Sequence, residues 1–459
     1  MVCTTQDQHP IGEQPRLMNI LPYNLATTND SLTSRAGLLA IAQVMESIQL
    51  SQRINKYFPA PGSNRGFQPS TFIETLILMQ HEGGFHLDDV RHLNDDEALR
   101  TVLGLDKIPQ ASSLGSWLRR LGNHNQSFTA WTQVNKAVLK AALHQCKGIT
   151  LDIDATEVIA NKADAQWTYK KNKGYMPMVG HIAEVGQVVA CDFRQGNASP
   201  AKENLEFIHQ CEHSLPDGCF VQSLRIDAAG YQKKIIEHCD NRSIKYAIRA
   251  KTSAAIKEQI VALTEADWQP LLNKKGGPVT GQHTTRMAHW ISDYDKSFTL
   301  VIQRKRIQGQ AELELDTPDS GEEICADGYV YRAIATNQDE WSNAQIIHWY
   351  NQRAEDSENR IKELKLDFGG DILPCSDFNA NALYFLIAAL SFNLFALMRQ
   401  LLPERIAHHR ATTVRWRLYA MAAKVVKTGR QLFIKLKAKH QAVLDQVLQA
   451  LRRFDSPPI

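Results

Sequence analysis

The chain has 459 residues, of which 43% are hydrophobic, 22% charged and 17 are proline. That length buries sizeable cores without disulfide or metal staples, and the composition excludes a disordered, collagen-like or low-complexity polypeptide. Formal charge nearly cancels, with 52 Lys and Arg against 49 Asp and Glu, so only its distribution along the chain can point to a polyanionic partner. The 8 cysteines contain no Cys-x-x-Cys pair, which argues against a zinc or disulfide framework and suits a reducing cytosol.

Residues 1–33 read as a polar arm without the apolar run of a secretion signal. Residues 34–146 read as a helical domain, with apolar residues at helical spacing in Leu38, Leu39, Ile41, Val44, Met45 and Ile48, and again in Phe72, Leu76, Ile77 and Met79. Turn signals break it at Pro59–Asn64, at Gly83-Gly84 and at Ile108–Ser113, where Ser112 or Ser113 is the expected cap of a short helix ending near Leu121. That helix carries Arg119 and Arg120, which suit either DNA reading or an ordinary bundle helix with solvated arginines.

At Gly148 the period changes from helical to alternating. Ile149–Asp154 reads as a strand, and Met176–Ala183 and Gln187–Arg194 as a hairpin about Glu184-Val185-Gly186. A helix (201–213), a strand (219–226), a helix (231–239) and a strand (244–249) follow, implying parallel pairing beside the antiparallel strands. Residues 281–336 read as a β-rich insertion that splits the mixed α/β unit into 147–280 and 337–398. The apolar run Ala382–Met398 is interrupted by Ser391 and Asn393 and is shorter than the ~20 residues that span a bilayer, so it reads as a buried helix. The remainder, 399–459, reads as basic and helical; 399–453 holds thirteen Lys or Arg and two acids, a local charge of +11.

Three places carry candidate chemistry. Alternation puts Asp152 and Asp154 on one strand face, where an acid among apolar residues needs a partner or a metal; a solvated face is the simpler alternative. Asp227 ends a strand beside Ala228-Ala229-Gly230, a position that suits a ligand group or a helix cap. In Tyr350–Lys365, a helix capped by Asp356 or Ser357 would put Ile361, Leu364 and Phe368 on an apolar stripe and Glu358, Lys362 and Lys365 on a polar one, which also suits a salt-bridged amphipathic helix. Two strand acids and a helix acid on a mixed sheet meet the needs of a two-metal phosphoryl-transfer site.

These motifs in this order resemble the DDE transposases of bacterial insertion sequences, in the branch with a Tyr-Arg-Glu-Lys signature, a β-strand insertion and a ribonuclease-H-like catalytic domain. The resemblance rests on Leu151–Thr156, Lys173–Met178, Arg194–Pro200, Arg225–Asp227, Ala335–Asn337 and Tyr350–Lys365. It implies that Asp154, Asp227 and Glu358 are catalytic metal ligands, with Asp152 as a neighbour. By the same resemblance Tyr350, Arg353 and Lys365 contact DNA, and Trp290 matches an aromatic that stacks a flipped base; an ordinary strand tryptophan is the alternative. Lys170, Lys171, Lys173 and Tyr175 form a basic and aromatic cluster suited to phosphate or to a solvated loop.

One spacing departs from the signature: the family places its Glu one residue nearer the Arg than Glu358 stands to Arg353. On one continuous helix that residue turns the Glu by about 100°, so a helix starting after Arg353 is expected, with Glu355 as the alternative register.

The resulting expectation is a cytoplasmic, nucleoid-associated DNA transposase that binds terminal inverted repeats and joins the cleaved ends to target DNA. It would work as a homodimer on double-stranded DNA, with two Mg²⁺ ions or Mn²⁺ in their place, and without a membrane or a small-molecule substrate. A metal-dependent nuclease on the same fold and a catalytically inactive DNA-binding regulator are the alternatives.

Overall fold

The computed structural model describes residues 26–63, 66–144, 146–251, 253–307 and 324–451. Most of the arm read at 1–33 lies outside them; its end forms β1 (Leu32–Thr33). Helices α1 (Leu39–Ser47), α2 (Leu50–Tyr57), α3 (Pro69–Glu82), α4 (Arg91–Asp95), α5 (Glu97–Leu103), α6 (Ala111–Gly122) and α7 (Gln126–Leu143) then follow. Pro69 opens α3 at a position that needs no N–H, and Gly83, at φ 105°, closes it. The cap expected at Ser112 or Ser113 is instead Gln110, so both serines lie in the first turn of α6.

The mixed sheet begins at β2 (Gly148–Ala155). A small separate sheet of β3 (Val158–Ile159), β4 (Gln166–Trp167) and β5 (Lys173–Tyr175) stands beyond its end. The main sheet continues with β6 (Met178–Ile182), β7 (Val188–Asp192), β8 (Phe220–Ile226) and β9 (Lys245–Arg249), and α8 (Asn204–Ser214), α9 (Lys233–Asn241) and α10 (Ala254–Val261) are interleaved. Strands β7, β6 and β2 are antiparallel neighbours, while β8 and β9 run parallel to β2. This is the ribonuclease-H-like mixed sheet that the motif order implies. The insertion, β10 (Gln269–Leu272), β11 (Pro278–His289), β12 (Phe298–Arg306), β13 (Ile324–Ala326) and β14 (Tyr329–Thr336), extends the same sheet, because β14 pairs with β9.

Each sheet face has its own cover. Leu151 and Ile153 of β2 share a core with Ile208, Ile235 and Ile256 from α8, α9 and α10. On the other face Ala247, Val301 and Ile334 pack against Ile346, Ile347 and Tyr350 of α11 (Asn343–Phe368). Period-2 alternation therefore aims Asp152 and Asp154 at α11.

Helix α12 (Phe378–Arg399) joins the two halves of the molecule. It is apolar and long enough to cross a bilayer, yet its apolar window is wholly buried, packed against α3, α6 and α7. The approach to α6 is close: a Cβ on Gly122 would lie 2.6 Å from the Ala380 nitrogen. The two polar residues that interrupt the run are bonded. Asn393 accepts from Val188 N at 2.7 Å and donates to Asn135 Oδ1 at 2.7 Å, so it occupies the free edge of β7. Ser391 donates to Gln80 Oε1 at 2.6 Å.

Two further expectations need correction. The segment 423–435, read as helix, is a hairpin of β15 (Ala423–Thr428) and β16 (Gln431–Lys435), closed by Gly429 at φ 61°. Lys424-Val425-Val426-Lys427 and Leu432-Phe433-Ile434 carry the β-branched and aromatic residues that favour strand, and β1 completes the sheet on β15. A terminal helix, α13 (Ala438–Leu451), follows. The second correction concerns α11, which does not start after Arg353. It runs unbroken from Asn343 and is capped by Ser342, whose Oγ accepts from Gln345 N at 3.3 Å while Gln345 reaches back to Ser342 N.

Burial sets the charge of two histidines. His81, bonded to Tyr419 Oη at 2.8 Å and Ser391 O at 3.1 Å, and His181 on β6 are fully buried, and desolvation lowers both to a pKa of about 3. Their folded values lie below the unfolded value, so their contribution is complete above the unfolded pKa and is lost as pH falls toward the folded one. His81→Gln is therefore expected to cost about 2 kcal/mol less at about pH 5 than at about pH 7.5. Urea titration of both proteins at both pH values checks this; an equal cost at the two would refute it.

Candidate functional site

Parallel pairing of β2 with β8 puts two carboxylates side by side. The register matches Leu151 with Leu224, Asp152 with Arg225 and Ile153 with Ile226, so the next residues in each chain, Asp154 and Asp227, lie level at the strand ends. Asp227 caps the turn Ala228–Gly230, its Oδ1 accepting from Ala229 N at 3.0 Å. That turn requires a glycine, since a Cβ on Gly230 would meet Ile226 Cγ2 at 2.2 Å. Burial pushes the Asp154 carboxyl up to about 6, and neighbouring Asp227 pushes the same way against Arg353 and Lys170. Two neighbouring carboxylates, one with a raised affinity for protons, form a hard oxygen donor set that suits a divalent cation such as Mg²⁺.

Beneath them lies a buried ion pair. The Arg225 guanidinium donates through Nε and Nη2 to the two oxygens of Asp152, each at 2.7 Å, and through Nη1 to the Trp349 carbonyl of α11 at 2.5 Å. Asp152 is fully buried and Arg225 1% exposed, so Asp152 belongs to the scaffold and is not the solvated strand acid that its pattern also allowed. Burial raises the Asp152 pKa, and the guanidinium opposes that rise.

Helix α11 is fastened along the sheet by its basic residues. Arg353 donates to the Ile153 carbonyl at 3.2 Å and lies 3.8 Å from Asp154 Oδ1, over the buried ring of Tyr350. Arg360 donates to the Ile182 and Ala183 carbonyls at 3.2 and 2.8 Å, and Lys365 donates to the Glu157 carbonyl just past Asp154. Arg353 and Lys365, expected at DNA phosphates, and Tyr350, expected at DNA, thus have intramolecular partners.

Glu358 is exposed on α11, five residues after Arg353, which on a regular helix turns it about 140° away. Ser357 instead faces the sheet, fully buried, with its hydroxyl unpartnered among protein groups. The structure therefore gathers Asp154, Asp227, Arg353 and Tyr350 and leaves Glu358 facing solvent. Lys365, two turns further along Glu358's stripe, reaches Glu157, so that stripe runs beside the open end of β2. The side chain of Glu355 lies outside the described residues.

Of the expected DNA-facing residues, Lys170 lies near enough to Asp154 to act on its carboxyl. Trp290 is 61% exposed just after β11. Lys170 and Lys171 are exposed and Lys173 half-buried on the small sheet, whereas Tyr175 is core, its hydroxyl donating to Asp164 at 2.6 Å. Arg119 and Arg120 are exposed on α6. Sequence reasoning overlooked Trp167 and Tyr169, 66% and 63% exposed beside Lys170. The signal was there: two aromatics at alternate positions ahead of Lys170-Lys171.

A family model described as "Transposase DDE domain group 1" matches residues 22–456. A cryo-EM structure of a piggyBac transposase synaptic complex with hairpin DNA is similar at 12% identity and a TM-score of 0.41, over 94% of this chain and 85% of that one. No curated protein matches the chain.

Removing one partner of a buried ion pair leaves the other uncompensated. Asp152→Leu alone is expected to cost about 3–5 kcal/mol, and adding Arg225→Met to return most of it. Equilibrium unfolding of wild type, single and double variants decides; a double variant no more stable than the single would show that the pairing is not what holds the site.

Proposed function

The chain belongs to the DDE-domain transposases, and from that membership we propose that it cuts DNA at the ends of a mobile element and joins the freed 3′ ends to target DNA. The observation that carries the reading is the level placement of Asp154 and Asp227 on neighbouring parallel strands. These two carboxylates would hold the divalent cations, and Glu358, exposed on the α11 stripe beside them, would have to swing its side chain inward to serve as the third ligand. Bound there, the cations would activate the attacking hydroxyl and stabilise the leaving oxygen.

The chain's own groups do the rest. Arg353 holds the end of β2 through the Ile153 carbonyl and offsets the charge of Asp154. Exposed Lys170 and Lys171 neutralise phosphate, while Trp167, Tyr169 and Trp290 offer faces on which an unpaired base at the cut end stacks. Arg119 and Arg120 on α6 and the basic C-terminal stretch add backbone contacts along the terminal repeat. Holding two ends at once calls for a homodimer on DNA.

The solvent-facing Glu358 and the buried Ser357 favour a second reading, an inactive descendant that binds DNA without cutting it. Nicking of a duplex carrying the element's end, with Mg²⁺, separates the two. In the transposase reading Asp154→Asn, Asp227→Asn and Glu358→Gln each lower the rate by about a thousandfold, the scale of losing several kcal/mol of transition-state stabilisation. Wild-type binding without nicking would establish the regulator, and nicking indifferent to the end sequence would establish a nuclease.

The stacking role has its own measurement. Trp167→Ala is expected to weaken binding of a frayed end by about 1–3 kcal/mol and of a fully paired duplex by much less. Equal losses on both would remove stacking from the account.

A further inference from the structure

On the sheet face opposite α11, helices α8 and α9 lie side by side and bring three ligating side chains together. His209 and Glu212 share a face of α8 one turn apart, and His238 reaches across from α9. His209 Nδ1 stands 3.2 Å from Glu212 Oε2, and His238 Nε2 stands 3.2 Å from Glu212 Oε1. All three ligating atoms lie within 4.8 Å of one another, and the imidazoles meet edge to face with centroids 4.7 Å apart.

We propose that His209, Glu212 and His238 bind one divalent transition-metal ion of the zinc class, and that the ion clamps α8 to α9. Two imidazoles and a carboxylate form a borderline donor set, which suits Zn²⁺, Co²⁺ or Ni²⁺ and is poor for Mg²⁺. The cluster is therefore chemically distinct from the all-oxygen set at Asp154 and Asp227. Donors about 2.0–2.1 Å from a tetrahedral ion are separated from each other by roughly 3.3 Å. Each imidazole already stands close to that separation from one carboxylate oxygen, His209 from Oε2 and His238 from Oε1, so the Glu212 carboxylate has to turn toward a shared position and the two nitrogens have to close; His209, with its side chain 52% exposed, is free to turn. The same exposure leaves solvent a fourth coordination position.

Arg242 Nε lies 3.7 Å from Glu212 Oε1 and competes for the carboxylate, but its side chain is 58% exposed and can swing into water. The clamp would have a mechanical consequence. At their first turns α8 and α9 are already joined through the turn after Asp227: Asn204 Nδ2 and Gln232 Nε2 both donate to the Ala229 carbonyl, at 3.1 and 2.7 Å. An ion further along the pair is a second fastening point and fixes the angle between the helices.

The test uses the full-length untagged chain carrying Asp154→Asn and Asp227→Asn, so that those acids cannot take the probe. Titration with Zn²⁺ in a calorimeter, and with Co²⁺ followed by visible absorption, is expected to show one ion per chain, unaffected by excess Mg²⁺. Zinc should raise the melting temperature by a few degrees. His209→Ala, at an exposed position, and Glu212→Gln, which keeps the side chain's shape, should each weaken binding by about tenfold or more and abolish the shift. Absence of zinc binding, or zinc binding that neither substitution changes, would overturn the proposal and leave Glu212 as a hydrogen-bond acceptor between two imidazoles.

Discussion

A guanidinium removed from water has to be met on every side, and Arg225 is met by two different elements. Its Nε and Nη2 are taken by Asp152 on β2, its Nη1 by the Trp349 carbonyl on α11, and its face lies over the Trp349 ring. Breaking any of these leaves a buried charge short of partners, which costs more than most packing defects. The chain exploits that intolerance by spacing. Asp154 is two residues beyond Asp152, Asp227 two beyond Arg225, and Arg353 four beyond Trp349, one helical turn on. Fixing the ion pair therefore fixes the two strand ends and the helical turn that surround the candidate cation site. The pair contributes position more than net stability, which is the better-supported use of buried ion pairs.

The same fastening explains why the third acid stands apart. Arg353, Arg360 and Lys365 tie α11 to carbonyls along β2 and β6, and a helix pinned before and after residue 357 has no freedom to turn one residue alone. With Ser342 supplying a complete capping box, nothing interrupts the helix near Arg353. The additional residue between Arg353 and Glu358 is therefore expressed as rotation, which buries Ser357 and sends Glu358 outward. Under the helix the Ser357 hydroxyl, both nitrogens of His181 and Arg353 Nε lack protein partners.

Much of the architecture was legible because it is written in local periods. The strand at 148–155, the hairpin of β6 and β7, the alternation through α8, β8, α9 and β9, and the buried helix α12 all follow from spacing and turn residues. Asp154 and Asp227 stood out for separate reasons: the cost of an acid inside an apolar strand marked Asp152 and Asp154 alike, and only the resemblance chose Asp154, while Asp227 ends a strand beside a glycine turn. What sequence could not show depends on contacts distant in the chain. Whether α11 begins before or after Arg353 is decided by Ser342 and by its seat on the sheet. The burial of Asp152 depends on Arg225, 73 residues away. The hairpin at 423–435 was hidden by a high Lys and Arg content, which reads as solvated helix until the β-branched residues are weighed.

The deepest non-local dependence is that of α12 on the N-terminal helices. Its apolar surface is covered by α3, α6 and α7, and its Asn393 completes the edge of the main sheet at Val188 with Asn135 of α7 beside it. A free sheet edge and an apolar helix are both liabilities when exposed, so neither the N-terminal helices nor the sheet keeps its surfaces satisfied without the other. Any grip on DNA by Arg119 and Arg120 would then be mechanically continuous with the sheet through α6, α12 and β7, with Gly122 allowing a close approach of α6 to α12. The N-terminal helices and the sheet share one core, so in the proposed function DNA seated on those helices would be positioned relative to Asp154 and Asp227 without a hinge between them.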